Sequence, residues 1–156
     1  MALERIVSGG QSGVDRGALD AALALGFQCG GWCPGGRLAE DGPIPERYPV
    51  VELAGGDYRA RTRQNVQDAD GTLILAFGAP KGGTLETLRD CLRFGKPHLV
   101  LDASAASAHD AARRALLFVQ ENAIRVLNVA GPRESGWQGA RAYAEAAVRG
   151  LLAPRR

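Results

Sequence analysis

The chain has no long apolar run. The longest stretches, such as Leu73–Phe77 and Ala115–Val119, hold about five residues each, against the roughly 18 that a membrane span requires. Its first ten residues carry no basic cluster leading into an apolar segment, so no secretory signal is read there and the expected location is the cytoplasm. Cysteine is scarce and odd in number: Cys29, Cys33 and Cys91 do not make a disulfide framework. Cys29 and Cys33 are spaced C-x3-C with no second pair and no nearby histidine, so no metal site is expected. Aromatic residues are only 6% of the chain, too few for a base-stacking platform. Nor is there an excess of charge: 19 Lys and Arg against 17 Asp and Glu leave +2, which gives no drive towards nucleic acid. The terminal Arg155–Arg156 pair is read as a solvated tail.

What remains is ordinary globular material with one outlier. The 156 residues fit one domain, 1–156, since domains commonly run about 100–150 residues. Hydrophobic residues at 46% and charged ones at 23% exclude a disordered or fibrous chain. The outlier is glycine: 21 residues, about 13% against a usual roughly 7%. These glycines follow no repeat and cluster between apolar segments, a pattern expected where backbone comes close to a ligand.

The apolar segments alternate in period. Ile6–Val7 reads as a strand, followed by a helix with Val14, Ala18, Leu19, Ala22 and Leu25 on one side, stopped by Gly26. Phe27–Gly30 is a second strand. Tyr58–Ala69 reads as a polar-rich helix and Thr72–Phe77 as a buried strand. The next helix carries Leu85, Leu88 and Leu92 as its apolar stripe and ends at Gly95 before Pro97. His98–Leu101, Ser107–Glu121, Arg125–Val129 and Gln138–Leu151 continue as strand, helix, strand and helix. The alternation predicts an α/β, three-layer Rossmann-like fold with a mostly parallel sheet flanked by helices. The stretch Trp32–Tyr58, with four prolines and several glycines, breaks the rhythm, and a loop of that length is expected to be functional or mobile.

Three polar, Gly-containing turns follow strands: Ser8–Gly13, Gly78–Thr84 and Ala130–Gly136. In a parallel sheet all three fall at the carboxyl edge, where ligands bind. The first two lead into helices, whose free N–H groups and positive dipole end favour an anion, and phosphate is the usual occupant. Arg133 on the third turn would add charge. Alternatively Gly-Gly only makes tight turns, with Ser12 or Thr84 as helix caps. Neither turn has the spacing of the dinucleotide or P-loop fingerprints. Asp15 is read as favourable at a helix start, Arg16 as a ligand candidate, and Arg37, Glu40, Asp41 and Arg61 as solvated.

The segment Ser8-Gly9-Gly10-Gln11-Ser12-Gly13-Val14-Asp15-Arg16-Gly17-Ala18 resembles the opening of the molybdenum cofactor carrier proteins. Gly31-Trp32-Cys33-Pro34 with Ala39-Glu40-Asp41-Gly42 looks like their second motif; Arg61-Thr62, Asn65-Val66 and Asp70-Gly71-Thr72 look like the third. Gly82-Gly83-Thr84, Gly95-Lys96-Pro97 and the run Leu127–Ser135 complete a match over about residues 5–150. Ser12, usually Thr in the family, and Gly35, often Lys, depart from the pattern. The resemblance implies a Rossmann-like fold related to the cytokinin-activating phosphoribohydrolases, and a homo-oligomer. Its cargo would be molybdenum cofactor (molybdopterin), a phosphorylated pterin that it protects or hands to a molybdoenzyme or cofactor-biosynthesis client. The expected cofactor-binding residues are Gly9, Gly10, Gln11, Ser12, Gly13, Arg16, Gly82, Gly83, Thr84, Arg133, Glu134 and Ser135, with no catalytic residue and no metal ligand. The Trp32–Tyr58 loop would cover the pterin.

The alternative is a nucleoside 5′-monophosphate phosphoribohydrolase or another nucleotide-processing enzyme. The related hydrolases carry G-G-x-G-T-x-x-E; here Glu86 comes one residue early and Thr87 holds the motif's Glu position. One residue turns a helical side chain by about 100°, so Glu86 is expected to point away from the site, leaving Glu134 to supply a carboxylate for a hydrolase.

Overall fold

A computed structural model describes residues 2–154; the Arg155–Arg156 pair lies outside them. In chain order the elements are β1 (Arg5–Val7), α1 (Val14–Ala24), β2 (Cys29–Gly30), β3 (Trp32–Cys33), β4 (Leu38–Ala39), β5 (Gly42–Pro43), β6 (Val51–Glu52), α2 (Tyr58–Asp68), β7 (Gly71–Ala76), α3 (Gly82–Arg93), β8 (His98–Asp102), α4 (Ala108–Glu121), β9 (Val126–Ala130) and α5 (Ala140–Leu152). Five strands make the central sheet in the order β2-β1-β9-β7-β8, every neighbouring pair parallel. This is the α/β, Rossmann-like three-layer architecture expected. Counted from β7 as first strand, with the chain ends notionally joined, the order becomes 2-1-3-4-5, a doubly wound sheet entered at a different point.

Strand β7, an interior strand between β9 and β8, shows how the sheet is buried on both faces. All six residues of β7 are buried, as a near-continuous apolar run in a parallel sheet should be. Alternation along the strands then separates two faces. Leu73, Leu75, Leu127 and Val129 join the main core with α1, α4 and α5. The opposite face carries Thr72 and Asn128, whose side chains hydrogen-bond at 3.3 Å beneath α2 and α3. The alanine content of α1 and α5 lets them pack closely: a Cβ at Gly17 would lie 2.3 Å from the carbonyl oxygen of Arg141.

Two expectations change. The α3 stripe Leu85, Leu88 and Leu92 is not the buried face; Thr84, Thr87, Asp90 and Cys91 are, and Leu92 is 63% exposed. The polar inner face follows from what α3 meets, because Asp90 takes both guanidinium nitrogens of Arg59 on α2 (2.7 and 2.9 Å). Second, the Pro/Gly segment is an ordered unit. It closes a second core from Leu19, Cys33, Ala39, Ile44, Tyr48 and Val50. Arg37, expected to be solvated, gives hydrogen bonds to the carbonyls of Ile44, Pro45, Tyr48 and Val50 at 2.9–3.1 Å. One planar guanidinium thus satisfies four backbone acceptors that lack a regular ladder.

Candidate functional site

The loops after β7 and β9 leave neighbouring strands for opposite faces of the sheet, and a crevice opens between them at this topological switch point. It is a cleft of about 480 Å³, within the usual range for small-molecule sites. Residues 77–84 and 130–133 form two walls, Tyr58, Arg59, Arg61 and Thr62 of α2 form the third, and Gln11 and Asp15 lie at the floor. Gly78 donates its N–H to Asp102 at 2.8 Å, which fixes the start of the first loop.

How each helix start is satisfied decides where an anion fits. α2 and α4 are capped by side chains: Asp57 accepts from the Ala60 N–H (2.8 Å) and Ser107 from the Asp110 N–H (3.1 Å). α5 is served by Glu134, which accepts from the N–H groups of Gly139 (2.7 Å) and Arg141 (3.0 Å). α1 begins at Gly13 without a side-chain cap, but Val14 donates to the Pro132 carbonyl at 3.1 Å. A Cβ at Gly13 would lie 2.4 Å from that oxygen, so this glycine allows the first and third turns to touch. α3 differs. Lys81 gives no side-chain cap, and among the described residues no acceptor meets the N–H groups of Gly82, Gly83 or Thr84. Ideal Cβ positions at Gly82 and Gly83 meet nothing within 4 Å. The positive end of α3 is therefore open to the cleft.

The charges lining the cleft are unequally engaged. Arg59 pairs with Asp90 and with Glu86 at 3.1 Å, and Arg61 with Asp15 at 3.3 Å. Lys81 and Arg133 form no ion pair among the described residues. Arg133 instead lies over the Tyr58 ring, 5.5 Å from its centre. Burial raises the Asp15 carboxyl above its ordinary value, opposed by Arg61 and by the N–H groups of Gln11 and Gly9. Gln11, 6% exposed, accepts on Oε1 from the N–H groups of Ser12 (3.0 Å) and Glu40 (2.8 Å). Its Nε2 is buried without a partner, as is Nε of Arg61. A buried donor left unpaired costs about 1–3 kcal/mol, which marks the floor as unfinished.

The residues expected from the sequence divide into two groups. Gln11, Gly82, Gly83, Thr84 and Arg133 line the cleft. Gly9 lies beneath Arg61, and Gly10 packs against Ile44. Ser12 and Ser135 converge with their hydroxyls on the Glu40 carboxylate, and the Glu134 N–H donates to Ser12 Oγ at 3.2 Å. Those two hydroxyls hold the Glu40 carboxyl below its ordinary value. Arg16, expected as a ligand candidate, is buried and bonded to Asp41 and to the Gly10 carbonyl. Glu40 and Asp41, expected to be solvated, thus pin the β4–β5 hairpin to the start of α1. Of the segment 32–58, only Tyr58 lines the cleft; the rest packs against Leu19 of α1 and, through Trp32, against Asn65 and Asp68 of α2, away from the cleft. Glu86, expected to point away, lines the cleft with its carboxylate held by Arg59 and Arg89. The residues sequence reasoning passed over are Asp15 and Arg61, which sat inside the quoted motifs, Lys81 beside Gly82, and Tyr58, Arg59 and Phe77, which carried no signal.

Among the described residues no group of three or more His, Cys, Asp or Glu is placed to hold a metal ion, and no helix is long and apolar enough to cross a membrane. The family model described as the circularly permutated YpsA SLOG family matches residues 6–152. The crystal structure at 1.45 Å resolution of the putative molybdenum carrier protein from Syntrophus aciditrophicus is similar at a TM-score of 0.94 and 41% identity, over 97% of this chain and 96% of that one. No curated protein matches the chain. The strand order, regular only when counted from β7, agrees with a permuted fold.

Proposed function

The chain belongs to the circularly permutated YpsA SLOG family, and on that footing we propose that it binds molybdenum cofactor as cargo and carries or protects it. The observation that carries this reading is the uncapped start of α3, opening beside the unpaired cations Lys81 and Arg133 into a cleft of ligand size. The terminal phosphate of the cofactor would take the N–H groups of Gly82, Gly83 and Thr84 and a charge-assisted bond from Arg133. Its flat pterin would lie between the walls that carry Tyr58 and Phe77. The metal would arrive on the cofactor's own dithiolene sulfurs. The first Gly-rich turn has a different part in this reading: it joins the β9 loop and the β4–β5 hairpin behind the site.

The test is saturable binding of molybdopterin or its molybdenum form, with mass spectrometry showing it returned unchanged. Arg133→Ala should weaken binding about tenfold or more, the worth of one charged hydrogen bond at about 1.5–3 kcal/mol. Unaltered affinity in that variant would remove Arg133 from the site.

A homo-oligomer in the cytoplasm, passing cargo to a molybdoenzyme or a cofactor-biosynthesis enzyme, belongs to the same reading. Leu92, 63% exposed on α3, with the half-buried Leu85 and Leu88, offers an apolar stripe that self-association would cover. Light scattering should give a multiple of 16.4 kDa that falls on Leu92→Glu; a monomeric wild type would end it.

The second reading, a nucleotide hydrolase, is favoured by one observation: Glu86 is in the cleft after all. Both its oxygens are engaged by arginines, which leaves it poorly disposed to activate water. No free base should be released from adenosine 5′-monophosphate over hours. Release abolished by Glu86→Gln would reverse the ranking.

A further inference from the structure

The central sheet has two edges, and they differ. At one end β2 is two residues long, and the segment after it lies alongside: the Pro49 carbonyl oxygen is 3.1 Å from where a Cβ of Gly30 would be. At the other end β8 runs five residues, His98–Asp102, in unbroken register with β7. Among the described residues no strand pairs its far side. The Pro97 carbonyl accepts from the Thr72 N–H (3.0 Å), and the Ala103 N–H donates to the Ala76 carbonyl (2.7 Å). Alternate residues from 97 to 103 thus turn their backbone groups to β7, which leaves those of His98, Val100 and Asp102 facing outwards. Among the described residues these three N–H groups meet no acceptor, and the carbonyls of His98 and Val100 meet no donor. Open edges are commonly blunted by lysine, proline or a bulge; the run His-Leu-Val-Leu-Asp has none of these.

This edge is its own complement. Two copies of β8 set antiparallel about Val100 put Val100 against Val100, Leu99 against Leu101, and His98 against Asp102. A basic side chain meets an acidic one at both ends, and no like charges oppose. The outward backbone groups fall opposite one another in the same register, so each Val100 exchanges both bonds with its mate. Asp102 has an oxygen to spare. Its Oδ1 takes the N–H groups of Gly78 (2.8 Å) and Ser104 (2.9 Å) and the Ser104 hydroxyl (2.6 Å), while Oδ2 takes nothing among the described residues.

An apolar flank adjoins the edge. α3 runs from β7 to β8 and is tied to α2 through Glu86 and Asp90. At about 100° per residue, Leu85, Leu88 and Leu92 lie on the side of α3 turned away from those acids. α2 reaches towards the β2 end of the sheet, where Asn65 bonds to the Trp32 backbone. The leucine stripe therefore looks over the β8 edge. Five paired residues are few for the roughly 1,200 Å² of a stable interface, and the stripe enlarges them.

We infer that β8 is the pairing edge for a second copy of this chain, added antiparallel about a two-fold axis at Val100, so that two five-stranded sheets become one of ten strands with the α3 leucines beside the seam. This rests on the reading of the chain as a homo-oligomer and names the surface that joins the copies.

The test is light scattering over a dilution series for the wild type, Val100→Pro, His98→Asp and His98→Lys, with amide exchange read residue by residue by NMR. The Val100 N–H points away from β7, so proline there removes no bond of the single chain. In the wild type Val100 and Asp102 should exchange slowly when associated and fast on dilution, while Leu99 and Leu101 stay protected. Val100→Pro should raise the dissociation constant about tenfold or more, since both copies lose an N–H···O bond. His98→Asp sets carboxylate against carboxylate twice and should weaken association about tenfold, whereas His98→Lys should stay within about threefold of wild type. That pair decides the matter if the proline variant does not fold. A monomeric wild type overturns this inference and the homo-oligomer reading together, and leaves the edge to a strand of another protein. An oligomer in which Val100 exchanges fast, or which His98→Asp and His98→Lys leave alike, overturns the β8 pairing alone.

Discussion

Gly83→Asp should make the protein more stable and its anion site worse, and the two effects can be measured separately. Gly83 lies in the first turn of α3, its backbone is not left-handed, and a Cβ there meets nothing within 4 Å. Replacing glycine in a helix by alanine gains about 0.8–1 kcal/mol. Aspartate gains less by propensity but adds about 0.3–1 kcal/mol from a negative charge at the helix start. Both variants should therefore gain up to about 1 kcal/mol, roughly 2–4 °C of melting temperature for a chain of this size. Binding should separate them. A carboxylate about 4 Å from a bound phosphate costs about 1–4 kcal/mol per charge at effective dielectric constants of about 80 down to 20, a loss of about fivefold to nearly a thousandfold. Gly83→Ala keeps the N–H and adds no charge, so it should bind inorganic phosphate close to wild type. Calorimetry and thermal melts on the three proteins check this. If Gly83→Asp binds phosphate as well as Gly83→Ala does, the anion is not at the start of α3 and the orientation proposed for the cargo is wrong.

Other outcomes follow from the same packing. Gly82→Ala, at a position with φ +56°, should lose about 1–2 kcal/mol in denaturant titrations, in contrast to the gain one residue later. Gly13→Ala combines φ +80° with a Cβ 2.4 Å from the Pro132 oxygen, and should cost more than about 2 kcal/mol; an unchanged unfolding midpoint would show that the two turns do not meet as described. Glu40 and Asp41 have carboxyls held below their ordinary values of 4.5 and 3.8, by the Ser12 hydroxyl and Arg16 respectively. Groups depressed in the folded state contribute stability that is complete above those ordinary values and lost as the pH falls through the lowered ones. Acid titrations of stability should thus be shallower below pH 4.5 for Glu40→Gln than for wild type, and identical curves would count against the carboxylate's place between Ser12 and Ser135.

The sequence determined the architecture because the periodicities carrying it are local. β7 needs six consecutive residues that tolerate burial on both sides, and Gly71–Ala76 supplies them. Gly82 and Gly83, which lack side chains, mark a turn with room for a ligand, and Arg133 lies in the turn that follows β9. The match of motifs from residue 5 to 150 placed the chain in its family before any coordinate did. What the sequence did not determine is which polar groups meet. Asp15 and Arg61 are 46 positions apart in the chain, and each alone reads as a charge on a solvated helix. Only the packing of α2 over the sheet buries them as a pair. The two Gly-rich turns look equivalent in the sequence. The first is closed by a carbonyl from Pro132 and by a hairpin carboxylate from Glu40, both distant in the chain, and the second is not. Leu85, Leu88 and Leu92 read as a core stripe by spacing, yet spacing fixes only that they share a face. Which face turns inward was settled by the bidentate bond between Arg59 and Asp90, whose buried carboxylate would be left without its cationic partner if α3 were rotated.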